Sequence, residues 1–118
     1  MNALDLKNTV IGIEFGSTRI KAVLVGRQHE VIASGSHEWQ NSFAGGVWTY
    51  PMEEIHEGMR SCFRALKEDV RNRYHVELTV SGAIGISGMM HGYLPFDREG
   101  NQLAEFRTWR NTITGEAA

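Results

Sequence analysis

The chain has 118 residues, 42% hydrophobic and 22% charged, with a formal net charge of -2. That suffices for one small domain with a core, and the composition is not that of a disordered chain. The weakly acidic balance, with no basic stripe, argues against nucleic acid as a partner, and no apolar run approaches the length of a membrane span.

One cysteine, Cys62, allows no internal disulfide and fits a reducing compartment. The first eight residues carry Asp5 and Lys7 and lack the apolar centre of a signal peptide. A cytoplasmic protein is expected.

In chain order, residues 9–15 read as a first strand, apolar from Val10 to Phe15 except for Glu14. Gly16, Ser17 and Thr18 make a tight turn, and residues 19–26 read as a second strand. The turn gathers backbone N–H groups, two hydroxyls, the Glu14 carboxylate and the cations of Arg19 and Lys21. N–H groups and hydroxyls can wrap phosphate oxygens, and a carboxylate can hold a hydrated Mg2+ beside them. The plain alternative is a hairpin whose Gly16 supplies a positive φ and whose polar residues face water. Glu14 favours the phosphate reading, because an unpaired acid at the end of a buried strand is costly.

Residues 27–30 form a polar turn, and residues 31–39 a third strand. Loops this short join antiparallel neighbours, so the three strands form a meander. Residues 41–50 read as a loop containing Gly45 and Gly46; its Phe43, Trp48 and Tyr50 are expected to pack against the following helix. Pro51 suits the first helical position, and Glu53 and Glu54 follow it. Ile55, Met59, Cys62, Phe63, Leu66 and Val70 recur as one apolar stripe, with Lys67, Arg71 and Arg73 toward the end, which predicts a helix over 52–74. Cys62 lies in that stripe and reads as a core residue rather than a nucleophile.

Residues 82–87, G-A-I-G-I-S, read as a short apolar strand, parallel to an earlier one because a helix precedes it. Met89-Met90-His91-Gly92 follows at its C-terminal end, where open α/β sheets bind ligands. Residues 93–96 and 103–109 are strand-like around a turn at 97–101, and Arg110-Asn111-Thr112 closes a polar patch. His29, His37, His56 and His75 show no metal-ligand pairing, so no zinc site is expected. With no second amphipathic helix to cover the sheet, the strand at 82–87 should expose an edge and an apolar face, and self-association is expected.

Three segments carry a resemblance that spans nearly the whole chain from Val10. Glu14-Phe15-Gly16-Ser17-Thr18-Arg19-Ile20-Lys21 resembles the D-x-G-T-S/T-x-x-K pattern of the FGGY family of carbohydrate kinases, with Glu in place of Asp. Gly85 to Gly92 resembles the G-x-S/A-G-Q-M-H-G of its xylulokinase-type members, and Trp109-Arg110-Asn111 resembles W-N-D with a changed polar pair. The first pattern is shared with actin and hexokinase; the ordered trio is more specific.

The resemblance implies an α/β, ribonuclease H-like mixed sheet: an antiparallel three-strand meander, a crossing helix and a parallel strand, as an incomplete domain. It also implies transfer of the ATP γ-phosphate to a sugar hydroxyl, on a ketopentose such as xylulose. Gly16, Ser17, Thr18 and Lys21 would serve the nucleotide and Glu14 the Mg2+, through water. Met90, His91, Trp109, Arg110 and Asn111 would serve the sugar. Residues 1–118 would be the N-terminal part of a larger kinase, with the catalytic base and second domain elsewhere and the piece inactive alone. The competing readings are a non-catalytic, actin-like or sugar-sensing member, another polyol or hexulose kinase, and a small interaction domain.

Overall fold

The computed structural model describes residues 4–90, 92–108 and 111. After a short 3-10 turn come β1 (Val10–Phe15), β2 (Arg19–Val25), β3 (Val31–Glu38), β4 (Ser42–Ala44), β5 (Val47–Thr49), α1 (Met52–Tyr74) and β6 (Ala83–Ser87). The main sheet has the order β3-β2-β1-β6. β1 pairs antiparallel with β2 and parallel with β6, and β2 pairs antiparallel with β3. The expected meander, crossing helix and parallel fourth strand are all present.

Alternation along the strands sorts the two faces. Ile11, Ile20, Ala22, Leu24 and Ala33 form the core with Cys62, Leu66 and Val70 of α1. Full burial of each large aliphatic side chain here stabilises by about 1.5–3 kcal/mol. The helix closes on β3 at a glycine: a Cβ on Gly35 would lie 2.3 Å from the Leu66 nitrogen and 2.7 Å from the Cys62 carbonyl oxygen. The Cys62 thiol is buried, which pushes its pKa up, and it lies 3.5 Å from the Ile20 and Gly35 carbonyl oxygens. It is a core residue, as its place in the apolar stripe implied.

The helix bounds match the sequence pattern at both ends. Pro51 is the N-cap rather than the first helical residue, and His75 ends the helix in the left-handed region at φ 57, donating its N–H to the Arg71 carbonyl. Asp69 fastens α1 to β3: its carboxylate accepts the Ser34 N–H at 2.8 Å and the Arg73 Nε–H at 2.9 Å. The Ser34 N–H, with the Arg73 guanidinium, holds this carboxyl below the usual carboxylate range. A depressed folded pKa adds stability above the unfolded value of about 3.9, and that stability is lost as pH falls through the folded value. The melting temperature of the wild type should therefore fall more steeply than that of Asp69→Asn on acidification below about pH 5. Parallel thermal melts across that range check this; equal slopes would contradict it.

Two expectations are corrected. Residues 41–50 are not a plain loop: β4 and β5 pair as a hairpin whose turn residues, Gly45 and Gly46, have φ 60 and 80. Two successive positive φ values are what a type I′ two-residue hairpin loop requires. Its aromatics also do not pack as one group on the helix. Phe43 is exposed, whereas Tyr50 is fully buried, stacked on Trp39 at 4.2 Å and edge-on to Phe106 at 5.9 Å. Residues 93–107 fold back on themselves through two isolated bridges, Tyr93 to Arg107 and Phe96 to Gln102. The Asp97 carboxylate closes the turn by accepting the Glu99 and Asn101 N–H groups at 3.0 and 2.7 Å.

β6 is the sheet edge, and all five of its residues are exposed. Ile84 and Ile86 are register partners of Ile11 and Ile13 and so share the helix-side face, yet they are 59% and 67% exposed. α1 packs against β3 and β2 and leaves them uncovered.

Candidate functional site

The candidate site forms where β1 ends. Alternation puts Glu14 on the face opposite α1, one residue before the turn. Its register partners are Lys21 on β2 and Ser87 on β6, so carboxylate, ammonium and hydroxyl are carried side by side across three strands. Gly12 and Gly85 are also partners, which leaves the floor of the adjoining recess as bare backbone. Glu14, Lys21 and Ser87 rim this recess, a cavity of about 480 Å3. The sequence pattern implied a buried acid, but Glu14 is exposed, because the described residues place nothing over this face.

The turn is held from one side only. The Gly16 N–H donates to the Arg19 carbonyl at 2.9 Å. A Cβ on Gly16 would sit 2.9 Å from that same oxygen, so close approach, not positive φ, requires glycine here. The Gly16 carbonyl accepts the Trp39 indole N–H at 2.8 Å, and the Thr18 carbonyl accepts the Trp39 backbone N–H at 3.1 Å. The Ser17 carbonyl accepts the Tyr50 hydroxyl. Among the described residues, the Ser17 and Thr18 N–H groups and hydroxyls have no acceptor. Paired free N–H groups in a turn beside a cation are suited to an anion such as phosphate.

No group of three or more His, Cys, Asp or Glu side chains that could hold a metal ion occurs among the described residues. Glu14 is thus a single carboxylate, which fits Mg2+ only as a largely hydrated ion shared with phosphate oxygens.

A second cavity, of about 400 Å3, opens at the C-terminal ends of β1 and β6 on the helix side. Phe15, Trp39, Ile86, Met89, Leu94 and Phe106 make it largely apolar. Met90 does not line it and is 88% exposed. Asn111 is committed elsewhere: its Oδ1 accepts the Trp48 N–H at 2.8 Å, and its Nδ2 donates to the Trp48 and Thr108 carbonyls at 2.8 and 3.1 Å. It clips its own position to β5. His91, Trp109 and Arg110 lie outside the described residues. The structure therefore brings Glu14, Gly16, Ser17, Thr18 and Lys21 together at the end of β1, while Met90 and Asn111 line neither cavity. Trp39 and Tyr50, which hold the turn, were missed, because no local pattern marks a contact made across 23 or 33 residues.

A mixed sheet of this order, with one crossing helix and a polar turn at the strand ends, is the ribonuclease H-like arrangement of sugar kinases. Its fold matches the crystal structure of a xyloylose kinase from Brucella ovis, with a TM-score of 0.77 at 22% identity over 93% of this chain and 22% of that one. The chain belongs to the FGGY family of carbohydrate kinases: residues 9–118 match the family's N-terminal domain. It is 28% identical to a xylulose kinase of Staphylococcus xylosus over 107 residues, 91% of this chain and 21% of the relative. It is 27% identical to a glycerol kinase of Thermococcus gammatolerans over 112 residues, 94% of this chain and 22% of the relative. The chain thus spans about a fifth of the length of these relatives.

Proposed function

We propose that the chain is the N-terminal part of a cytoplasmic, ATP-dependent kinase that transfers the γ-phosphate to a hydroxyl of a ketopentose such as xylulose. The observation that carries this reading is the turn: two unspent N–H groups and two hydroxyls at Ser17 and Thr18, beside Glu14 and Lys21. Phosphoryl transfer depends on positioning and on neutralising charge spread over phosphate oxygens. Gly16, Ser17 and Thr18 would receive phosphate oxygens, Lys21 adds positive charge nearby, and Glu14 would orient the waters of a bound Mg2+. When bound, that ion would neutralise phosphate charge. The ketopentose assignment rests on the G-I-S-G-M-M-H-G segment; Met90, His91, Trp109, Arg110 and Asn111 are its proposed sugar-side residues.

Asn111 would act there by holding its segment against β5, since its amide is occupied by backbone groups. The general base is proposed to come from outside these residues, so the 118-residue chain alone should be inactive. A coupled ADP-release assay of the full-length protein against pentoses, ketopentoses, hexoses, gluconate and glycerol tests the assignment. The greatest kcat/KM with a ketopentose supports it, and turnover of glycerol alone would move the substrate to a polyol.

The isolated chain should self-associate. The β6 edge carries unpaired backbone groups beside the exposed Ile84 and Ile86, and such edges recruit other strands. Sedimentation equilibrium of the 118-residue chain should show dimers or larger species, and Ile86→Lys should shift them toward monomer. A monodisperse monomer at high concentration would contradict this.

A further inference from the structure

Resting on the phosphate reading of the turn, we propose that Trp39 and Tyr50 are positioning residues for the nucleotide. On this proposal they lock the peptide planes of the turn so that the Ser17 and Thr18 N–H groups are preset toward the phosphates.

In a trans peptide the C=O and the following N–H point in opposite directions within one plane. Fixing a carbonyl therefore aims the next N–H the other way. The Trp39 indole N–H holds the Gly16 carbonyl at 2.8 Å, which orients the Ser17 N–H. The Tyr50 hydroxyl holds the Ser17 carbonyl, which orients the Thr18 N–H. The Trp39 backbone N–H holds the Thr18 carbonyl at 3.1 Å and completes the set. The two N–H groups oriented in this way are the two without an acceptor among the described residues.

The clamp is itself rigid. The two rings stack at 4.2 Å with an interplanar angle of 28°, and Phe15 and Phe106 flank them at 6.5 and 5.9 Å. Asn41 Nδ2 donates to the Tyr50 oxygen at 3.1 Å, so the phenol oxygen is already an acceptor and its proton is directed to the Ser17 carbonyl. A Gly-Ser-Thr turn without these ties could rotate its peptide planes and would lose that freedom on binding ATP. The indole and phenol remove this cost in advance, without touching the nucleotide.

The test uses the full-length kinase and three variants. Tyr50→Phe and Trp39→Phe each delete one donor to the turn and keep an aromatic ring. Tyr74→Phe is the control: the Tyr74 hydroxyl donates to the Ile32 carbonyl at 3.2 Å, a similar bond to β3 away from the turn. Tyr50→Phe and Trp39→Phe should each lower kcat/KM for ATP about tenfold, as expected for losing one aligned hydrogen bond, and leave the sugar KM within about twofold. Tyr74→Phe should lower only the melting temperature. If the turn variants lose thermal stability but keep wild-type kinetics for ATP, as the control does, the proposal is overturned. Should one turn variant not fold, the other decides. Glu14→Gln measured alongside separates the two readings. Impaired Glu14→Gln with unimpaired aromatic variants removes the clamp alone; wild-type kcat in Glu14→Gln removes the phosphate reading and the clamp with it.

Discussion

In the full-length protein, if it is the kinase proposed, Glu14→Gln is expected to lower kcat on the order of 100-fold, the scale of losing one preorganised electrostatic contact to a transition state. The sugar KM should stay within about twofold, since on the proposed reading the carboxylate would serve metal and phosphate rather than sugar. The geometry supports this division. Glu14 stands on the face opposite α1, over a backbone floor at Gly12 and Gly85, and beside Lys21 and Ser87. The apolar cavity lined by Met89, Leu94 and Phe106 opens on the helix side. Glutamine keeps the length of the side chain and one accepting oxygen but replaces the charged oxygen by a neutral amide donor, so a loss confined to kcat reports the role of the carboxylate. Steady-state kinetics with ATP and sugar varied in turn provide the check; wild-type kcat would show that the acid has no part in transfer.

Gly35→Ala should be the most damaging single methyl addition in the described fold. The added Cβ would fall 2.3 Å from the Leu66 nitrogen, 2.7 Å from the Cys62 oxygen and 2.8 Å from the Ala65 carbonyl carbon. All three are backbone atoms of α1, so no rotamer change relieves the clash. The helix must lift from β3, and Cys62, Leu66 and Val70 would lift with it. Overpacking of this kind costs about 1–3 kcal/mol, and here it should reach the top of that range. Urea unfolding should show a lower midpoint for Gly35→Ala. Gly85→Ala, whose Cβ meets nothing within 4 Å, should unfold near the wild-type midpoint. Equal midpoints for Gly35→Ala and wild type would mean that the helix sits further from β3.

Long periodic signals were legible in the sequence. The stripe through Cys62, Leu66 and Val70 bounded α1, and the G-A-I-G-I-S run marked β6 and its parallel pairing. The Gly16-Ser17-Thr18 turn after β1 was legible because its residues are adjacent in the chain. The β4–β5 hairpin was missed because three-residue strands are too short to show alternation, although Gly45-Gly46 was its signal. The exposure of Glu14 was misjudged for a different reason. Val10 to Phe15 is apolar apart from Glu14, and the described residues cover only the face of Ile11 and Ile13. The roles of Trp39, Tyr50 and Asn111 depend on tertiary contacts that no local pattern encodes. The Tyr50 hydroxyl reaches back to the Ser17 carbonyl, and the Asn111 amide holds the Trp48 backbone.

The most direct test of the proposed phosphate site is transfer of radiolabelled γ-phosphate from ATP to sugar by the full-length protein, with Glu14→Gln run in parallel. Labelled ketopentose phosphate should form with the wild type and form on the order of 100-fold more slowly with the variant. No labelled product with any pentose, hexose or polyol, or equal rates from the two proteins, would contradict the placement of phosphoryl transfer at the Glu14 turn.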